Sequence, residues 1–143
     1  MNELKARLTR LRLFQLAMIV SIPLFGRVAE IGGDPGSNSW TMWHWLVVGV
    51  VLWAIFGVSS IRSRILTRSQ QALAKDASDL KALKQWDVGH IIGMAFAENI
   101  AMWGLVVRMV LGGALWQALL FYIASLILLL IWTPRLPKDF ASN

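Results

Sequence analysis

Four apolar runs, each close to the length that crosses a lipid bilayer, constrain this chain more than any other feature. They cover about residues 11–28, 40–60, 88–111 and 115–132. A membrane-spanning helix needs about 20 predominantly apolar residues, and unpaired backbone groups are not tolerated in hydrocarbon. With 57% hydrophobic and 15% charged residues, the chain also has too few polar groups to cover a soluble domain. We therefore predict an all-α membrane protein, a single four-transmembrane-helix bundle over residues 1–143.

The basic residues lie beside the apolar runs rather than along one continuous surface. Twelve of the 14 fall into three clusters: Lys5, Arg7, Arg10 and Arg12; Arg62, Arg64, Arg68, Lys75, Lys81 and Lys84; Arg135 and Lys138. The segment 30–39 has two acids, no base and many turn residues. The positive-inside rule then predicts a multi-pass protein of the inner (plasma) membrane with both termini cytoplasmic (N-in/C-in). The expected partner of these cations is the lipid bilayer, and nucleic acid is not expected.

The first apolar run raises the alternative of a cleavable signal peptide. It follows a basic start, but Arg27 and Glu30 stand where small residues would mark a cleavage site. We interpret it as a retained helix, kinked at Pro23.

The segment between the second and third runs is polar but suited to a helix. Leu66, Leu73 and Leu80 recur every seven residues. This pattern favours an amphipathic cytoplasmic helix on the inner leaflet or docked on the bundle, and a solvated connector is the alternative. Ser39 and Asp87 are the expected N-caps of the second and third transmembrane helices.

The third apolar run is the only one with a charged residue near its middle. Glu98 and Asn99 lie near its middle, and Arg108 lies nearly three turns farther along. An ionised carboxylate at that depth costs several kcal/mol, so it must be paired, hydrated or protonated. Arg108 is expected either to extend to the headgroups or to pair with Glu30, Asp34 or Gln117.

Small residues recur on one side of the same helix. Gly93, Ala97, Ala101 and Gly104 share a face at about 100° per residue, which permits close helix packing. We expect this row to be a helix-packing and association face. Glu98 borders it, so its carboxyl is expected to point into a seam between helices.

The residues from Ala95 to Val107 resemble the second helix of rotary ATP synthase proteolipid (c) subunits. The shared pattern is Ala-Phe-Ala-Glu, followed after four residues by Trp-Gly-Leu-Val. In that family this pattern surrounds the proton-carrying carboxylate, so the resemblance implies that Glu98 carries a proton. The match covers one helix of four, the glycine-rich first helix of the family is absent, and Arg108 has no counterpart in its pattern. The whole chain also resembles small uncharacterised four-helix bacterial membrane proteins.

Two functions follow as expectations. The first is a structural or accessory subunit of a homo-oligomer or of a larger complex with other membrane-protein subunits; the second is a proton- or cation-coupled carrier using Glu98. No nucleophile–base pair, metal-ligand cluster or phosphate-binding loop is present, so no enzymatic activity and no cofactor are expected. His44 and His90 could each ligate a haem or pigment, but the predicted topology puts them on opposite sides of the membrane.

Overall fold

The computed structural model describes residues 2–32, 36, 39–76 and 78–135. Regular secondary structure in these ranges is helical: α1 is Asn2–Gly32, α2 is Met42–Lys75, α3 is Leu80–Met109 and α4 is Leu115–Ile131. The first three helices are long and apolar enough to cross a membrane. The 17 residues of α4 extend about 26 Å, near the lower limit for a span. The all-helical class is thus confirmed, and the fourth span stays a prediction.

The polar segment 66–84 does not form a helix of its own. α2 continues without a break to Lys75, and after a short turn α3 begins at Leu80. Leu66 and Leu73 are buried and extend the contact of α2 with the start of α3, whereas Leu80 is 67% exposed. The prediction of a separate amphipathic helix was therefore wrong, because the heptad of leucines belongs to two helices that pack on each other.

The N-caps of the second and third helices are also different residues from those predicted. Asp79 caps α3 by accepting hydrogen bonds from the backbone N–H of Lys81 (2.8 Å) and Ala82 (3.1 Å). Asp87 lies two turns farther along and pairs with Arg7 of α1. Thr41, rather than Ser39, is the N-cap of α2.

The α3 helix is the centre of the bundle and packs against each of the other three helices, while α1 also packs against α4. Arg7 contacts Asp87 near the start of α3, and Ala29 contacts Arg108 near its end. Since these two contacts follow the same order in both helices, α1 and α3 run in the same direction. We call the end of the bundle at Asp76, Ser78 and Asp79 the turn end, and the end at Gly112–Gly113 the glycine end.

A tight turn at Gly112–Gly113 connects α3 to α4. Gly112 has φ +65°, a left-handed conformation that is nearly free of strain only for glycine. The turn lies between the end of α3 at Met109 and the start of α4 at Leu115. Pro23 lies inside α1, which continues beyond it to Gly32.

Candidate functional site

Glu98 lies near the middle of the apolar part of α3 and is half-buried. Its Oε1 is 3.0 Å from the hydroxyl oxygen of Ser21 on α1, and that hydroxyl is also 2.7 Å from the carbonyl oxygen of Met18. A serine hydroxyl has one hydrogen to donate. An ionised Glu98 would accept it, and a protonated Glu98 could donate to Ser21 while Ser21 donates to Met18. The contact therefore accommodates both protonation states of the carboxyl.

No cation among the described residues forms an ion pair with Glu98; the described ion pairs are Arg7–Asp87 and Arg27–Glu30. The bond to Ser21 lies on the α1 side of α3, so the carboxyl does border a seam between helices, as expected from the sequence. That seam is partly open, however, because Glu98 keeps part of its surface exposed.

Asn99 follows on the α2 side of α3 and is exposed. It borders a shallow pocket of about 60 Å³ that is otherwise lined by apolar side chains of α2 and α3, including Val51 and Trp103. Its side-chain amide forms no hydrogen bond with any described residue. An amide without a partner is costly in an apolar medium.

Both polar side chains lie on one uncovered strip of α3. In the described residues α1 and α2 share no packed face with each other, so the side of α3 between them is not covered. We call this strip the open face; its exposed or half-exposed members are Val88, Ile91, Ile92, Ala95, Glu98, Asn99 and Met102. Over about four turns of helix, this strip thus presents one carboxyl and one amide in an otherwise apolar surface.

The row of small residues lies on the opposite, buried side of α3. Beside Gly104, a Cβ atom would be 2.8 Å from the Tyr122 ring and 3.0 Å from the carbonyl oxygen of Ala118. The carbonyl oxygen of Ala97 accepts a hydrogen bond from Ser125 at 2.5 Å. Ala97 and Ala101 are fully buried, and Gly93 packs against Arg62 and Trp132. The row packs helices, as predicted, but within the chain, so it is not available to face a neighbouring one.

Arg108 is 7% exposed and is held by backbone carbonyls. Its Nε donates to Ala29 at 3.3 Å and its Nη1 donates to Gly113 at 2.9 Å. Glu30, one predicted partner, pairs with Arg27 at 2.8 Å, and Asp34, another, lies outside the described residues. Arg108 is thus a buried tie between α1, α3 and the glycine-end turn rather than a side chain extended to solvent.

The two histidines are buried at opposite ends of the bundle. His44 Nδ1 lies 3.2 Å from the backbone nitrogen of Thr41, whose N–H it accepts, and 2.7 Å from the hydroxyl oxygen of Thr41. Gln117 does the same for α4, accepting the N–H of Ala114 at 2.8 Å. His90, near the turn end, stacks edge-on against Trp86 at 4.8 Å. The two histidines thus lie far apart along the bundle, as expected from the sequence.

Sequence reasoning missed one buried polar contact near the turn end. The amide of Gln15 on α1 donates to the carbonyl oxygen of Leu129 at 2.5 Å and to the hydroxyl of Thr133 at 3.0 Å. Gln15 lies within the buried stripe of α1, four residues after Leu11 and three before Met18. In the sequence, the position of Gln15 on the apolar stripe of α1 was the signal that could have indicated this contact.

Comparison with protein-family models, curated proteins and solved structures finds no match for this chain. The site is therefore interpreted from its own geometry and chemistry.

Proposed function

We propose that this chain is a structural or accessory subunit of a membrane assembly, and that it associates through the open face of α3. One observation carries the proposal: Glu98 and Asn99 both reach that face near the middle of an apolar helix. Burying an amide in an apolar medium without a hydrogen bond costs roughly 2–7 kcal/mol. A neighbouring transmembrane segment that supplies donors and acceptors at this depth would remove that cost.

A second copy of the chain fits this face by its chemistry. Asn99 supplies a donor and an acceptor, and Glu98 next to it supplies an acceptor. In a two-fold contact, Asn99 of one copy can face Glu98 of the second copy, and the same pair then occurs a second time with the two copies exchanged. Asn99 of each copy can then donate to Glu98 of the other. We propose a homo-oligomer on this basis, in the inner membrane with both termini cytoplasmic.

Cysteine cross-linking tests this face directly, because the chain has no cysteine of its own. Ile92→Cys introduces a thiol on the open face, and Ile123→Cys introduces one on the exposed side of α4. In lipid nanodiscs or native membranes under mild oxidation, the Ile92 variant should form a disulfide-linked dimer faster than the Ile123 variant. Equal rates, or faster linking at Ile123, would contradict the open face as the contact. Linking of Ile92→Cys to a different membrane protein would show that the open face contacts that protein in a hetero-complex and not a second copy of this chain.

The contribution of Asn99 to association is measurable by cross-linking of the Ile92→Cys protein. Asn99→Leu should weaken association about three- to twentyfold, since interhelical hydrogen bonds in membranes contribute about 0.6–1.7 kcal/mol. Leu120→Ala, on the exposed side of α4, is the control and should leave association unchanged. If the Asn99 variant associated as strongly as the parent, a hydrogen bond between Asn99 and Glu98 of a second copy would not be what stabilises the assembly.

A proton carrier using Glu98 is the second candidate, and one observation favours it. Glu98 has no ion-pair partner among the described residues, and its contact with Ser21 accommodates the carboxyl both protonated and ionised. The resemblance of this helix to proteolipid (c) subunits implies the same role.

Glu98→Gln separates the two functions. Glutamine keeps the size of the side chain and an oxygen that accepts from Ser21. If Glu98 serves assembly, this variant should keep or slightly strengthen cross-linking at Ile92, and neither protein should conduct protons in vesicles. Proton flux in the parent protein that disappears in Glu98→Gln, with assembly intact, would establish the carrier.

A further inference from the structure

A basic groove lies between α2 and α3 near the turn end, separate from Glu98 and Asn99. It has a volume of about 340 Å³ and is lined by Ile65 and Arg68 of α2 and by Lys81, Lys84, Gln85 and Val88 of α3. Three of these six side chains are cations and none is an acid. A concave site with three positive charges is suited to an anion.

No described residue forms an ion pair with any of the three cations. Arg68, Lys81 and Lys84 are exposed. The nearby acids are engaged elsewhere: Asp79 caps α3, Asp76 accepts from Ser78, and Asp87 pairs with Arg7 of α1. Hydrogen bonds from Ser78 also keep the pKa of Asp76 below its usual value, so that acid stays ionised and bound in its own turn.

The position of the groove along α2 and α3, at the boundary of their apolar parts, indicates which kind of anion it binds. The apolar part of α2 ends near Ile61, and the apolar part of α3 begins at Val88, a groove residue. Ile61 is 55% exposed and Val88 is 39% exposed, so apolar surface continues directly from the cationic rim toward the middle of the helices. A ligand with an anionic head and an apolar tail matches this sequence of surfaces.

We propose that this groove binds an anionic phospholipid. The headgroup phosphate lies among Arg68, Lys81 and Lys84, and an acyl chain follows Ile65, Ile61 and Val88. Three cations without an ion-pair partner among the described residues favour a headgroup with two phosphates over one with a single phosphate. The groove shares Val88 with the open face, but its three cations lie outside that face, so headgroup binding does not rest on the proposed assembly function.

Lipid binding is tested on the full-length protein in mild detergent by native mass spectrometry. The protein is mixed with equal amounts of cardiolipin, which carries two phosphates, and zwitterionic phosphatidylcholine. Cardiolipin should be retained preferentially. The variant Arg68→Gln, Lys81→Gln and Lys84→Gln should lose about fivefold in affinity for each cation removed, in line with the contribution of a basic residue near an anionic membrane surface.

A control variant removes the same number of charges elsewhere: Lys5→Gln, Arg12→Gln and Arg135→Gln are exposed positions outside the groove. It should bind cardiolipin as the parent does. Equal loss in both variants would mean that total charge, not the groove, attracts the lipid, and would overturn the proposal. Displacement of cardiolipin by an equal concentration of inorganic pyrophosphate would also overturn it, because the groove would then bind a free anion. Cross-linking at Ile92, measured in parallel, reports assembly separately.

Discussion

Arg108 shows how a cation is kept within an apolar bundle. Its guanidinium presents several N–H groups in fixed directions, and two of them reach carbonyls on different elements, Ala29 at the end of α1 and Gly113 in the glycine-end turn. A backbone carbonyl near a helix end has a free lone pair, because no later N–H of the helix reaches it. The arginine thus satisfies backbone groups that the bundle would otherwise bury without partners.

We expect Arg108→Gln to lower the free energy of unfolding by about 2–3 kcal/mol, since hydrogen bonds from a charged group contribute about 1.5–3 kcal/mol. Arg108→Lys should recover only part of this loss, because an ammonium cannot reproduce the planar fork of donors. Tryptophan fluorescence during unfolding in mild detergent measures the effect. Arg64→Gln, an exposed change on α2, is the control, and equal stability of the Arg64 and Arg108 variants would contradict the role assigned to Arg108.

Single residues also show where prediction from the sequence ends. The unusual positions of Glu98, Asn99 and Arg108 were visible from the sequence, because charged and amide groups interrupt an apolar run. Their partners were not visible: Ser21 is 77 residues from Glu98, and Ala29 is 79 residues from Arg108. Local periodicity carries no information about contacts at such separations.

At the scale of helices, two glycines with similar sequence surroundings have different environments. A Cβ atom on Gly104 of α3 would lie 2.8 Å from Tyr122 and 3.2 Å from Phe121, both on α4. A Cβ atom on Gly57 of α2 would have no atom within 4 Å. The absence of a side chain at Gly104 therefore sets how closely α3 and α4 approach, and its absence at Gly57 does not.

Gly104→Ala should lower the free energy of unfolding by about 1–3 kcal/mol, the usual cost of overpacking a tight contact. Gly57→Ala should leave stability unchanged or raise it by up to about 1 kcal/mol, because alanine favours the helix more than glycine does. Unfolding of both variants in the same detergent compares them. A similar effect at both positions would argue against a close α3–α4 contact.

Helix class and number were predictable from the apolar runs, whereas helix ends were not. Hydrophobicity identifies the part of a helix that lies in hydrocarbon, but α2 and α3 extend beyond it and pack on each other through Leu66, Leu73 and Trp86. Two aspartates could each have capped α3, and Asp79 was used because α3 begins where α2 turns back. The charge of Asp87 was then free to bind Arg7.

At the scale of the whole molecule, the bundle separates its charges by end. The contact of Arg7 with Asp87 brings the basic start of α1 to the turn end, where the groove cations Arg68 and Lys81 also lie. At the glycine end the described part of α1 finishes with Arg27 paired to Glu30. An excess of unpaired cations at one end is the distribution that the positive-inside rule assigns to the cytoplasmic side.

This distribution predicts the orientation of the protein in the membrane. Ser78 lies in the turn-end connection and Ser39 lies near the start of α2 at the other end; both are exposed. Because the chain has no native cysteine, Ser78→Cys and Ser39→Cys each give a single labelling site. In intact cells a membrane-impermeant maleimide should label the Ser39 variant only, and the Ser78 variant should react after the membrane is opened. Labelling of Ser78→Cys in intact cells would show the opposite orientation, in which the groove cations lie at the outer leaflet and not at the cytoplasmic one.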